Sequence, residues 1–220
     1  MCFCFISCYK KIEDDKITVT GVGTVTVQPD KASIIVSVIT EDINVKHASD
    51  ANANTMNTVY EAVVKAGIEP HQITTTNYNI RRLDSWSNNL AQNGQYQVRN
   101  SMKIVVFDMD NISNIIDTAI GAGANELNSL TFTLKDNETV LHEAQVLAVN
   151  NAKQKADIIA QAGNRSVDKV LTIVEHNDGL YAPQMMVSNA SFDSSFASTP
   201  LSAGNVTVSA SVTITYKLKK

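Results

Sequence analysis

The body of this 220-residue chain has no cysteine: Cys2, Cys4 and Cys8 all lie at the extreme N-terminus. A disulfide inside the fold is thereby excluded, and the Cys spacing matches no zinc knuckle. Glycine (9) and proline (4) are few, which excludes a collagen-like or wholly disordered chain. Aromatic residues are 6%, with a single Trp, and charged residues 18%, below the roughly 25% usual in soluble domains. Acidic residues outnumber basic ones, 22 to 18, so a nucleic-acid partner, which needs clustered Lys and Arg, is not expected. The apolar run Met1–Tyr9, closed by Lys10 and Lys11, is too short for a bilayer span, which takes about 20 residues. What is present is ample Val, Ile and Leu within 44% hydrophobic residues. The length suits one large domain or two small, closely packed ones, able to bury about 70% of the unfolded surface without disulfide or metal.

The N-terminal stretch resembles the stump of a secretion leader or lipoprotein signal, with Cys8 after Ile6-Ser7 as a degenerate lipid-anchor site. The alternative is a mis-called start codon or a cloning scar. Residues 1–16 are accordingly set apart from the fold, as leader remnant or tag-like segment. Sequons at Asn111, Asn137, Asn164, Asn189 and Asn205 are compatible with export, although an Asn- and Thr-rich chain produces several by chance.

From Ile17 the chain alternates, with Ile17, Val19, Gly21, Gly23, Val25 and Val27 on one face and Thr residues on the other: a strand in which the glycines suggest a bulge or close backbone approach. Lys31–Thr40 is a second strand, expected to be buried on both faces. The period then changes, and Ala48, Ala51, Thr55, Val59, Ala62, Val63 and Ala66 form a helical stripe that ends at Gly67 and Pro70. Strands at about Thr74–Leu83 and Gln95–Phe107 flank a polar segment, Asp84–Gly94, expected to be a mobile hairpin tip. Asp108 predicts a helix N-cap, followed by the buried face Ile112, Ile115, Ile116, Ala119 and Ile120. A strand at Leu127–Leu134 leads to the longest helix, Glu138–Ala162, with the narrow stripe Leu141, Ala144, Ala148, Ala152, Ala156 and Ile159. After a strand at Lys169–Glu175, Asn177–Asn205 has no sustained period and reads as a functional loop or disorder. Val206 to Leu218 then alternate without a fault.

The expected fold is therefore α+β in the order ββαββαβαββ. Residues 31–135 carry the βαββαβ pattern of a ferredoxin-like subdomain. Residues 17–30 and 136–220, with the loop 177–205, are expected to form a second, smaller α+β layer built from both chain ends.

Four blocks carry a family resemblance. They are Ile17-Thr-Val-Thr-Gly-Val-Gly-Thr-Val-Thr-Val-Gln-Pro-Asp-Lys-Ala, Ala66-Gly67-Ile68 with Ile73-Thr-Thr-Thr-Asn-Tyr, Gly121-Ala-Gly-Ala-Asn-Glu-Leu-Asn-Ser-Leu-Thr-Phe, and Val206-Thr-Val-Ser-Ala-Ser-Val-Thr-Ile-Thr-Tyr. In this order they resemble the SIMPL domain family (DUF541), over about Ile17 to Leu218. The resemblance implies an α+β protein exported to the bacterial or archaeal cell envelope, prone to homo-oligomerise, loosely linked to stress tolerance and without an accepted catalytic site. No active residue is carried over.

The residues themselves point the same way. His47, His71, His142 and His176 stand in no ligand motif, and His142-Glu143 lacks a second His at helical spacing. There is no G-x-S-x-G elbow, no phosphate-binding G-x-x-x-x-G-K, and Gly21-x-Gly23 lacks the third Gly of a dinucleotide fingerprint. No catalytic, cofactor-binding or metal residue is expected, and the chain is not read as an enzyme. Trp86 in its polar loop, and Tyr181, Met185, Met186, Phe192 and Phe196 in the long stretch, are the candidate interaction residues; the bland readings are a ring folded back on the sheet and plain disorder. Arg81-Arg82 suits a carboxylate across a subunit boundary or, more simply, a solvated strand end. Hydroxyl-lined strands with open edges favour pairing between copies, so a dimer or ring is the expected partner state. The functional expectation is a non-enzymatic, self-associating envelope protein, the alternative a small-ligand or peptide-binding module with 177–205 as a lid.

Overall fold

A computed structural model describes residues 15–87, 90–176, 184–185 and 204–220, and these divide into two units, each antiparallel sheet plus helix. The elements in chain order are β1 (Lys16–Val27), β2 (Lys31–Asp42), α1 (Val45–Lys65), β3 (Ile73–Ser87), β4 (Leu90–Val106), α2 (Ile112–Gly121), β5 (Glu126–Thr133), α3 (Asn137–Ala162), β6 (Ser166–His176), β7 (Gln184–Met185) and β8 (Val206–Lys219). The α+β class holds.

The larger unit runs from 26 to 136 and takes in β7. Its sheet has the order β3-β4-β2-β5-β7. Alternation on β2 sends Ala32, Ile34, Val36 and Val38 to one face, where they meet Met102, Ile104 and Val106 of β4 and Leu130 and Phe132 of β5. Val59 and Val63 of α1 and Ile112, Ile115, Ile116 and Ala119 of α2 complete this core. The other face of β2 is only half-buried at Ile35 and Ile39, so the expected double-sided burial is incomplete.

Asn44 caps α1, its side chain accepting from the backbone of Lys46 at 2.8 Å and His47 at 3.4 Å. The buried stripe of α1 is Ala48, Asn52, Met56, Val59 and Val63, so the expected Ala51 and Thr55 face outward or only partly inward. Asn52 takes a core position because its Nδ2 donates to the Val38 and Val98 carbonyls at 2.9 and 3.2 Å, which a hydrophobic residue would leave unpaired. Gly67 closes the helix in the left-handed region, φ 103°. Asp108 caps a single 3-10 turn, Met109–Asn111, rather than α2 itself, which begins at Ile112. The polar segment expected as a loop is mostly strand, with Trp86 level with Ala91 and Ser87 with Leu90.

In the smaller unit, β1, β8 and β6 form the sheet in that order, and α3 covers one face. β8 buries Val206, Val208, Ala210, Val212, Ile214 and Tyr216, as its alternation predicts. The glycines of β1 mark a close approach rather than a bulge. A Cβ on Gly21 would collide with the Ala148 carbonyl oxygen, and one on Gly23 with that of Ala144. The facing helix surface is equally small: Ala144, Ala148, Ala152, Ala156 and Ala160 are all buried. The expected Ile159 is exposed instead, because the stripe keeps a strict four-residue step, the inclined ridge along which a helix packs. Hydroxyl pairs Thr18–Thr215 at 2.9 Å and Thr20–Thr213 at 3.0 Å tie β1 to β8 on the opposite face.

Candidate functional site

The smaller unit treats its two sheet edges differently. β1 is the outer strand on one side, and α3 reaches over to it: Asn151 Oδ1 accepts the Val22 backbone N–H at 3.2 Å, and Lys155 Nζ donates to the Thr20 carbonyl at 2.9 Å. Two edge groups that a foreign strand would pair with are thus occupied. β6 is the outer strand on the other side, and among the described residues no strand pairs with its outer edge.

The centre of β6 is Val170-Leu171-Thr172-Ile173-Val174, without a charge. Ile173 lies level with Ile214 on the helix-covered side and Val174 with Thr213 on the hydroxyl side, with register shifts on either side of Val170. These four apolar side chains are 42–57% exposed. An edge strand ordinarily carries Lys, Pro or a short length as protection; here charge is confined to Asp168, Lys169 and Glu175 at the two ends. α3 carries exposed apolar residues of its own. Gln145 donates to Glu175 of β6 at 2.5 Å, and beside it Val146 and Val149 are exposed, lining a shallow 360 Å³ cavity with His142, Gln145 and Asn150.

The sequence-derived candidates are placed as follows. Trp86 sits by its backbone near the end of the β3–β4 hairpin, and Met185 in β7 level with Leu130 of β5. Tyr181, Met186, Phe192 and Phe196 lie outside the described residues, as do Cys2, Cys4 and Cys8. Trp86 and Met185 stand on opposite margins of the five-stranded sheet, on β3 and β7. Arg81 Nε donates to Gln97 Oε1 at 2.8 Å, and Gln97 Nε2 to Glu41 Oε1 at 2.5 Å, a chain across three neighbouring strands of the larger unit.

Each histidine has its own partner. His47 lies 3.8 Å from Asp42, His71 3.1 Å from Glu69, His142 4.0 Å from Glu138, and His176 Nε2 2.8 Å from Thr213 Oγ1. Among the described residues no three His, Cys, Asp or Glu side chains converge as metal ligands, and no helix is long and apolar enough to cross a membrane. At Tyr216 burial, helped by the Asp157 carboxylate, pushes the phenol above its ordinary value.

Sequence reasoning missed the β6 patch because a run of Val, Leu and Ile reads as buried strand whether or not anything covers it. The signal available was the lack of charge at its centre.

The family model described as "Protein of unknown function (DUF541)", SIMPL, matches residues 17–216. The chain is 30% identical over 216 residues to the 26 kDa periplasmic immunogenic protein of Brucella melitensis, covering 93% of this chain and 85% of the relative. The protein of the same name from Brucella abortus is 29% identical over the same span. The uncharacterized protein YggE of Escherichia coli K12 is 22% identical over 176 residues, 78% of this chain and 69% of the relative.

Proposed function

The chain belongs to the SIMPL family and is extracytoplasmic, as its periplasmic relatives are, and from that premise we propose that it is a non-enzymatic protein that works by associating with copies of itself. The single observation that carries this reading is the contrast between the edges of the smaller unit: β1 is closed by Asn151 and Lys155, whereas β6 has no partner on its outer edge among the described residues, is uncharged at its centre and is apolar on both faces. A second copy laid along β6 pairs its backbone groups and covers Val170, Leu171, Ile173 and Val174. At about 25 cal/mol per Å² of apolar surface, covering such a patch is a real driving force, whereas leaving it in water invites indiscriminate pairing. Because one edge is blocked, the pairing has one direction, and closed symmetry is the natural result. A stress-related role is then a property of the assembly rather than of a reactive centre.

The reading of 31–135 as a ferredoxin-like subdomain is supported by the strand order β3-β4-β2-β5 and by two helices packed on one face of that sheet. The lid reading of 177–205 has one observation in its favour: β7, inside that segment, adds to the edge of β5 through Leu130–Met185 and Thr131–Gln184.

Size-exclusion chromatography with light scattering tests self-association. The wild-type chain is expected to run as an oligomer, and Ile173→Lys/Val174→Lys as a smaller species that still unfolds cooperatively, at a melting temperature lowered only by the lost association. A wild-type chain that is monomeric at every concentration, or a double variant that assembles as before, overturns the proposal.

A further inference from the structure

The larger unit has a second feature, independent of assembly. The face of its sheet turned away from α1 and α2 is divided by charge. Toward one end its charged groups are neutralised: Arg99 pairs with Glu126, Asn128 donates to the same carboxylate at 2.9 Å, and Arg81, Gln97 and Glu41 form the chain described above. Toward the other end lies a cavity of about 560 Å³ lined by Lys31, Ser33, Lys103, Val105, Phe107 and Lys135. None of these three lysines has a carboxylate partner among the described residues; Asp30, next to Lys31 in sequence, accepts the backbone N–H of Lys135 at 2.7 Å. Lys135 Nζ sits 4.9 Å above the Phe107 ring, which holds that ammonium in place. Across from Lys31 on β5, Thr133 Oγ1 is buried without a hydrogen-bond partner, so the same face retains an unused hydroxyl.

We propose that this cavity binds a small organic anion carrying two or more phosphate or carboxylate groups. The lysines come from β2, β4 and the segment just after β5, and only the β2–β4 and β2–β5 pairings bring them together. Three like charges around one cavity repel one another, in a chain whose net charge is −4. A multivalent anion removes that repulsion and accepts charge-assisted hydrogen bonds from two or three ammonium groups at once. Ser33 adds a neutral donor, and Val105 with the Phe107 ring offers an apolar wall to the ligand's carbon skeleton. The volume lies within the roughly 300–1,000 Å³ of small-molecule sites.

Isothermal titration of the full chain, at low ionic strength and again at physiological salt, tests this, with tripolyphosphate in one arm and citrate in the other. Saturable binding at one site per chain is expected, and the tighter arm tells phosphate from carboxylate. Lys31→Gln/Lys103→Gln should raise Kd at least about tenfold, since each change removes a charge-assisted hydrogen bond to the anion. Lys65→Gln, an exposed lysine at the end of α1 in the same unit, should change it less than about twofold. Thermal melts of both variants verify that the fold is intact. Absence of saturable binding in both arms, or an equal loss with Lys65→Gln, overturns the site. Because the β6 variant leaves these residues untouched, failure here and failure of self-association are distinguishable.

Discussion

The two units bury different things. The larger one packs Phe132, Ile34, Ile104, Ile115 and Leu130 between sheet and helices, all at most 2% exposed, and its core is filled by large side chains. The smaller one presses the alanines of α3 against glycines of β1, so the helix contributes only small side chains while Val208, Val212, Ile214 and Tyr216 of β8 supply the bulk. Its large aliphatic residues on α3 and β6, among them Val146, Ile158, Ile159, Ile173 and Val174, stay outside. The first arrangement obtains its stability inside the unit, where burial of each large side chain is worth about 1.5–3 kcal/mol. The second obtains close fit inside and leaves apolar area for another surface. A helix face of this kind is specified by shape rather than by bulk, and the unit's exposed residues are where to look for what it does.

Truncation and insertion should therefore act in opposite ways in the two units. Phe132→Ala is expected to have the largest effect, about 4 kcal/mol in chemical denaturation, since it removes a whole ring from a filled core. Gly23→Val should cost about 3 kcal/mol, because the obstacle is the Ala144 carbonyl oxygen, a backbone atom that no rotamer change can move. The corresponding loss should fall on the smaller unit alone, visible as an early transition while hydrogen exchange in β2 and β4 remains slow. If Gly23→Val left stability unchanged, the contact between β1 and α3 would be looser than its geometry states, and the contrast between the units would fail.

How far the residues announced this is uneven, for physical reasons. β8 was legible because a half-buried strand must alternate, and Val206 to Tyr216 do so without a fault. The alanine stripe was legible as permitting a close approach, and the two glycines as either that or a bulge, since only small residues leave room for a backbone. Asn52 was not, because hydropathy excludes it from a core that needs its amide to satisfy two carbonyls. The polarity of Asp84–Gly94 predicts a loop, yet its described residues extend the hairpin, with Trp86 level with Ala91. β7, two residues long, is below any periodicity. The lysine cavity was hidden because Lys31 and Lys103 are neighbours only through strand pairing, as was the blocked edge, which depends on Asn151 and Lys155 meeting a strand far away in sequence.

Smaller effects sharpen the contrast between the edges. Asn151→Ala/Lys155→Ala should cost only about 1 kcal/mol per lost hydrogen bond, yet unblock β1. With both edges open, light scattering should find species larger than the wild-type oligomer, or open-ended ones, whereas an unchanged size would mean that α3 is not what guards that edge.

The smallest effect is confined to alkaline solution. Burial and the Asp157 carboxylate disfavour the Tyr216 phenolate, so the folded chain holds this proton to higher pH than the unfolded chain does. Below about pH 10 both forms are protonated and the group contributes no pH dependence. Above it the unfolded chain releases the proton first, and stability falls as pH rises toward the native pKa. Tyr216→Phe keeps the ring packed and removes the ionisation, so its melting temperature should match wild type at neutral pH and decline less steeply above pH 10. Parallel decline in the two proteins would mean that the ring is not held from water by α3 and β8, and would weaken the account of the smaller unit as closely fitted.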